Sequence, residues 1–245
     1  MLEYQAAKDL LINKTILVTG AGDGIGRAAA LSFAEHGATV ILLGKTVKKL
    51  EAVYDEIEQA GYPKPAIVPL DLKGATEQNY LDMAETIEEQ FGHLDGLLHN
   101  ASMLGVLGPF EHISMDSVNE VMQVNVIAEI MMTKALLPVM KKAPQASLVF
   151  TSSGVGRQGR AFWGEYAISK FATEGMMQSI AHEYEGSNIR VNSINPGATR
   201  TAMRANAYPA ENPQTLKTAA EIMATYLYLM GNDSVGVNGQ QLNAQ

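Results

Sequence analysis

The chain has 245 residues, of which 47% are hydrophobic and 18% charged, a composition that suits a folded domain with a full core and excludes a disordered segment. Its 18 basic and 26 acidic residues give a formal charge of -8, which opposes binding to nucleic acid or to an anionic membrane. With no cysteine, disulfides, thiolate metal sites and a cysteine nucleophile are all excluded; the five histidines show no ligand-like spacing, so no metal is expected.

The opening stretch "MLEYQAAKDLLINKTILV" carries acidic residues and only a short apolar run. Neither a secretory signal nor a membrane span is expected there, and the cytoplasm is the default compartment. In chain order the strand candidates are "TILVTG", "ATVILLG", "AIVPLDL", "DGLLHN", "ASLVFTSS" and "IRVNSINPG". Helical periodicity falls between them, over 24–36, 46–60, 75–91, 114–141, 163–185 and 215–231. Nearly continuous apolar strands imply burial on both faces, and their alternation with helices implies right-handed crossovers. The expected fold is therefore α/β, a parallel sheet of about seven strands flanked by helices on both faces. No repeat, low-complexity tract or linker divides it, so residues 1–245 read as one domain. The proline- and glycine-bearing segment 197–214 reads as a mobile loop covering the strand ends.

Two stretches carry chemistry. "LVTGAGDGIGRAAA" follows the first strand and opens the first helix. There Gly20, Gly24 and Gly26 allow a tight turn and close approach of a bound group, and the helix N-terminus offers free N–H groups to a pyrophosphate, so a dinucleotide is expected. The second strand ends "LLGKTVKKL": Gly44 stands where a ribose-binding carboxylate would fall, with Lys45 beside it and Lys48 one turn on. That favours NADP(H) over NAD(H), because a 2'-phosphate needs cations where a 2'-hydroxyl needs an acceptor. The other stretch, "WGEYAISKF", sets Tyr166 and Lys170 at i and i+4 on a helix, where their polar tips can converge. A nearby cation favours the ionised form of a phenol, so such a pair suits acid/base chemistry.

Together, the TGxxxGxG turn, the Asn-Ala after the fourth strand, Ser153 upstream of the Tyr of YxxxK, and Pro-Gly after the sixth strand resemble the short-chain dehydrogenase/reductase family, in its single-domain branch. The resemblance implies a Rossmann-type doubly wound fold and hydride transfer between a nicotinamide and a carbonyl or alcohol. It makes Tyr166 the general acid/base and has Lys170 assist it and hold the nicotinamide ribose. Ser153 would bond the substrate oxygen, and Asn125 would hold a water beside the lysine. Among cofactor contacts it implies Gly22, Asp23 and Ile25 beside the other glycines, Asp71 and Leu72 at the adenine, and Asn100 and Ala101 at the fourth strand's end. Ile194, Pro196, Gly197, Thr199 and Thr201 would border the nicotinamide. Ser102 departs from the family's usual glycine. The family commonly forms homodimers or homotetramers through its long fourth and fifth helices. A non-catalytic NADP-binding sensor or scaffold of the same fold is the alternative. Arg157, Arg160, Arg200 and Arg204 flank the expected substrate position; bracing of loops is favoured for them over recognition of an anionic carbonyl compound.

Overall fold

The computed structural model describes residues 4–245; Met1 to Glu3, part of the stretch read as lacking a signal, lie outside it. Its centre is a parallel seven-stranded sheet in the order β3-β2-β1-β4-β5-β6-β9, built from β1 (Thr15–Thr19), β2 (Thr39–Gly44), β3 (Ala66–Pro69), β4 (Gly96–His99), β5 (Ala146–Thr151), β6 (Ile189–Asn195) and β9 (Gln241–Asn243). The first six fall on the six strand candidates. β1 and β5 are buried along their whole length, as expected of strands covered on both faces. β9 has only three residues and no apolar run to announce it.

Helices α1 (Gly24–Glu35), α2 (Val47–Gln59) and α8 (Met223–Met230) cover one face, where Phe33, Leu50 and Tyr226 meet Val18, Leu42 and Ile194. On the other face, α3 (Glu77–Phe91), α5 (Ala128–Met140) and α6 (Gly164–Glu183) pack Tyr80, Met132, Leu136 and Met177 on Leu17, Leu97 and Leu148. Strand order reverses between β1 and β4, the point at which open α/β sheets leave a crevice beyond the carboxyl ends of their strands.

Three expectations are corrected. The single helix expected over 114–141 is α4 (Met115–Met122) joined to α5 by a π-turn at Gln123–Ile127. The wider turn adds backbone that periodicity in the sequence does not reveal, and such turns gather at functional sites. Met115–Met140 is long and apolar enough to cross a membrane, yet over half of its most apolar stretch is buried in the core, so it serves as a core helix. The covering segment 197–214 is also more ordered than a loop: β7 (Thr199–Arg200) pairs in parallel with β8 (Lys217–Thr218), and α7 (Ala202–Ala207) lies between them. Thr201 caps α7 by accepting from the Arg204 N–H at 3.1 Å. The last helix candidate, 215–231, is cut back because its first part forms β8 and a short 3-10 turn, Ala220–Ile222.

Candidate active site

A cleft of about 560 Å³ opens along the carboxyl ends of the strands. Its outer end is made by the turn after β1. Gly20 has φ +68°, and a Cβ there would stand 3.1 Å from the Ala101 Cα. Gly26 does not line the cleft; a Cβ on it would meet the Gly20 carbonyl oxygen at 2.3 Å, so it serves the packing of α1 against the turn. Gly22, Asp23, Gly24 and Ile25 all line the cleft. The first turn of α1 carries no acid, leaving its N-terminal field unopposed within the helix. Asp23 caps the helix, accepting from the Gly24 N–H at 2.7 Å, and pairs with Lys49 at 2.5 Å; the ammonium holds the Asp23 carboxyl below its ordinary value.

Gly44 and Lys45 line the cleft as expected, but the further cations at this end are Lys49 and Lys73, not Lys48. Because α2 starts at Val47 and buries Leu50, the residue beside Leu50 lies over the glycine turn, where a Cβ on Gly22 would touch the Lys49 Cβ at 2.9 Å. Asp71 and Leu72 follow β3 into the same end; Asp71 Oδ1 accepts from the Lys73 N–H at 3.1 Å and shapes that turn.

At the middle, Thr19 joins the ends of β1 and β4. Its Oγ1 accepts from the Asn100 and Ala101 N–H groups at 2.9 and 3.0 Å. Asn100, Ala101 and Ser102 line the cleft, and the buried hydroxyls of Ser102, Thr151 and Ser152 have no protein partner there.

The inner end is set by α6. Tyr166 and Lys170 share its buried face, only 7% and 1% exposed, and both line the cleft. Lys170 Nζ donates to the Thr151 carbonyl at 2.8 Å and lies 5.9 Å from the centroid of the Tyr166 ring, so the ammonium is held close to that ring. Ser153 lies beside them on the cleft wall and accepts from the Val155 N–H at 3.4 Å, which leaves its own O–H uncommitted.

Asn125 sits inside the π-turn, wholly buried and off the cleft. Its Oδ1 accepts from the Met103 N–H at 2.7 Å, while Nδ2 donates to the Met103 carbonyl at 2.9 Å and to Ser169 Oγ at 3.0 Å. The amide is thus occupied by protein. It ties the segment after β4 to α6.

Behind Lys170 is a carboxyl that the sequence reading passed over. Glu129 is 2% exposed; its Oε2 accepts from Thr173 Oγ1 at 3.1 Å and its Oε1 has no partner. Burial pushes this carboxyl up to about 7, against the opposing pull of Lys170 and Thr173. His99, held at 2.8 Å by Thr133, is pushed down to about 3 by burial and by Lys170, and so stays neutral. It lies off the cleft.

Pro196, Gly197, Thr199 and Thr201 complete the wall. Ile194, expected among them, points instead into the core on the α1 side, as strand alternation requires. Three of the four arginines brace structure. Arg157 bonds Glu174, Asn243 and the Leu242 carbonyl; Arg200 bonds the Pro213 and Leu216 carbonyls; Arg204 forms a two-point pair with Glu211. Arg160 is exposed and off the cleft.

A doubly wound sheet with a glycine turn at its first crossover, and a Tyr–Lys pair at the inner end of its crevice, defines a nicotinamide-dependent oxidoreductase. The family model described as short chain dehydrogenase matches residues 14–212, and the chain belongs to the short-chain dehydrogenase/reductase family. It is 53% identical to the uncharacterized oxidoreductase YciK of Escherichia coli K12 over 244 residues, covering 100% of this chain and 96% of that protein. A short chain dehydrogenase structure from Pseudomonas syringae matches with a TM-score of 0.98 and 55% identity, covering all of both chains. Another, from Shigella flexneri 2a strain 301 and complexed with NADP, matches with a TM-score of 0.96 and 53% identity, over 98% of this chain and 100% of that one.

Proposed function

We propose that this enzyme is an NADP(H)-dependent reductase of a small carbonyl compound, with Tyr166 as the general acid. The observation that carries the proposal is the pairing of Tyr166 and Lys170 on the buried face of α6, both lining the inner end of the cleft with Lys170 Nζ 5.9 Å from the centroid of the Tyr166 ring. The cleft fits the coenzyme: a glycine turn lies beneath its outer end, and Lys45 and Lys49 line that end, where a 2'-phosphate needs charge. The NADP in the Shigella flexneri relative supports the same choice.

When bound, the reduced nicotinamide supplies a hydride to the carbonyl carbon. Ser153 donates its uncommitted O–H to the carbonyl oxygen and orients it. Tyr166 gives its proton to that oxygen as negative charge builds there, completing the alcohol. Lys170, fixed by the Thr151 carbonyl, stabilises the charge left on the phenol oxygen. Asn125 acts as a positioning residue, and any water beside the lysine falls to its main-chain carbonyl, because the amide is taken.

Residues 1–245 work as one domain in the cytoplasm, in a homodimer or homotetramer. Exposed Ile127, Ile130, Ile168 and Phe171 on the π-turn, α5 and α6 supply the apolar face for the contact. Titrating the protein with NADPH and NADH tests the cofactor assignment: NADPH binds at least about tenfold tighter, and equal affinity would overturn it. Tight NADPH binding with no carbonyl reduced across a broad panel would point instead to a sensor or scaffold.

A further inference from the structure

We infer that the substrate end of the cleft receives an uncharged carbonyl compound bearing a flat apolar group, and discriminates against carboxylated or phosphorylated ones. This deepens the carbonyl-reductase reading and rests on it. The wall beyond Tyr166 is aromatic and aliphatic. The Trp163 ring lies 5.8 Å from that of Tyr166 and 5.9 Å from that of Tyr208, at angles of 54° and 43°. Leu104 and Met203 join Trp163 against the small cluster formed by Val155, Tyr166 and Ala167. Trp163, Tyr166, Leu104 and Met203 all line the cleft and together offer a surface suited to a planar apolar body.

Charge is missing from that surface in usable form. Besides Lys170, which is committed beneath Tyr166, its cation is Arg204. Arg204 is already engaged on one edge and on one face. Its Nε and one terminal nitrogen each bond a different oxygen of Glu211 at 2.6 Å, and its guanidinium stacks on the Tyr208 ring at 3.8 Å. The lysines of the cleft other than Lys170 follow β2 and β3, at the opposite end. An anionic substrate would either lie desolvated against Trp163 and Leu104 or have to displace Glu211 from Arg204. The pair therefore works as a clasp for α7, and the Glu211 carboxylate opposes the attraction of Arg204 for a second anion.

The test uses matched probes, benzaldehyde and 4-carboxybenzaldehyde, with NADPH oxidation followed under identical conditions. The neutral aldehyde is expected to have at least about a tenfold higher kcat/KM. Trp163→Ala should raise its KM with little change in kcat, and Trp163→Phe should restore it. Glu211→Gln, which frees Arg204, should narrow the gap between the two probes. Trp163 is the sole tryptophan of the chain, so quenching of its fluorescence reports binding without turnover. In the NADP-loaded protein, benzaldehyde should quench at concentrations where the carboxylate does not. Equal or better use of the carboxylated probe, in turnover or in quenching, would overturn the inference. Selective quenching without any reduction would uphold the apolar surface and count against the hydride-transfer reading alone.

Discussion

The two ends of the cleft carry their charges in opposite ways. At the outer end Asp23, Lys45, Lys49 and Asp71 are exposed and reach the cleft as surface residues. At the inner end the Lys170 charge is almost wholly buried and held by a single partner, the Thr151 carbonyl, while the Glu129 carboxyl buried behind it keeps its proton up to about pH 7. Exposed charges are screened and replaceable, so they tune which coenzyme binds. Buried charges are costly to desolvate and persist only in a fixed setting, which is what proton transfer to a developing alkoxide demands. The proposed function therefore sets recognition where electrostatics are weak and chemistry where they are strong.

The comparison breaks if inner substitutions prove as mild as outer ones. The largest effect is expected for Lys170→Met, which keeps the buried stem and removes the charge: kcat/KM for carbonyl reduction should fall about a hundredfold or more, measured by NADPH oxidation. Next comes Glu129→Gln. Because the folded protein holds this proton up to about pH 7 while the unfolded chain releases it near the ordinary value of 4.5, native stability is lost as pH rises between those limits. The glutamine variant lacks that loss. Urea unfolding at pH 5 and pH 8 should show the variant gaining on the parent by on the order of 3 kcal/mol across this interval. Parallel curves would show that the carboxyl is not held protonated. The smallest effects belong to the outer end: Lys49→Ala should weaken NADPH by roughly five- to tenfold and leave NADH unchanged, whereas Lys48→Ala should alter neither.

Legibility in the sequence follows the same divide. Sheet and helices could be read because burial on both faces of β1, β2, β4 and β5 writes itself as unbroken apolar runs. Tyr166 and Lys170 could be read because their pairing is a property of one helix. Lys49 was missed for Lys48 because the choice depends on where α2 begins; buried Leu50, next in sequence, was the available signal. The π-turn around Asn125 could not be read, since it is fixed by the backbone of Met103, distant in sequence. Glu129 was invisible for the same reason: its burial arises from the packing of α5 on α6, and nothing in "IAEIMMTK" marks it as interior. β7, β8 and β9 are too short to carry a pattern.

The central claim is that one phenol, seated beside a fixed ammonium, delivers the proton that completes reduction. Comparing the native enzyme with Tyr166→Phe under saturating carbonyl, with NADPH affinity measured on both, tests it most directly. Turnover should drop by about a hundredfold or more while the dissociation constant of NADPH stays within about threefold. A phenylalanine variant that still turns over at close to the native rate would contradict the account.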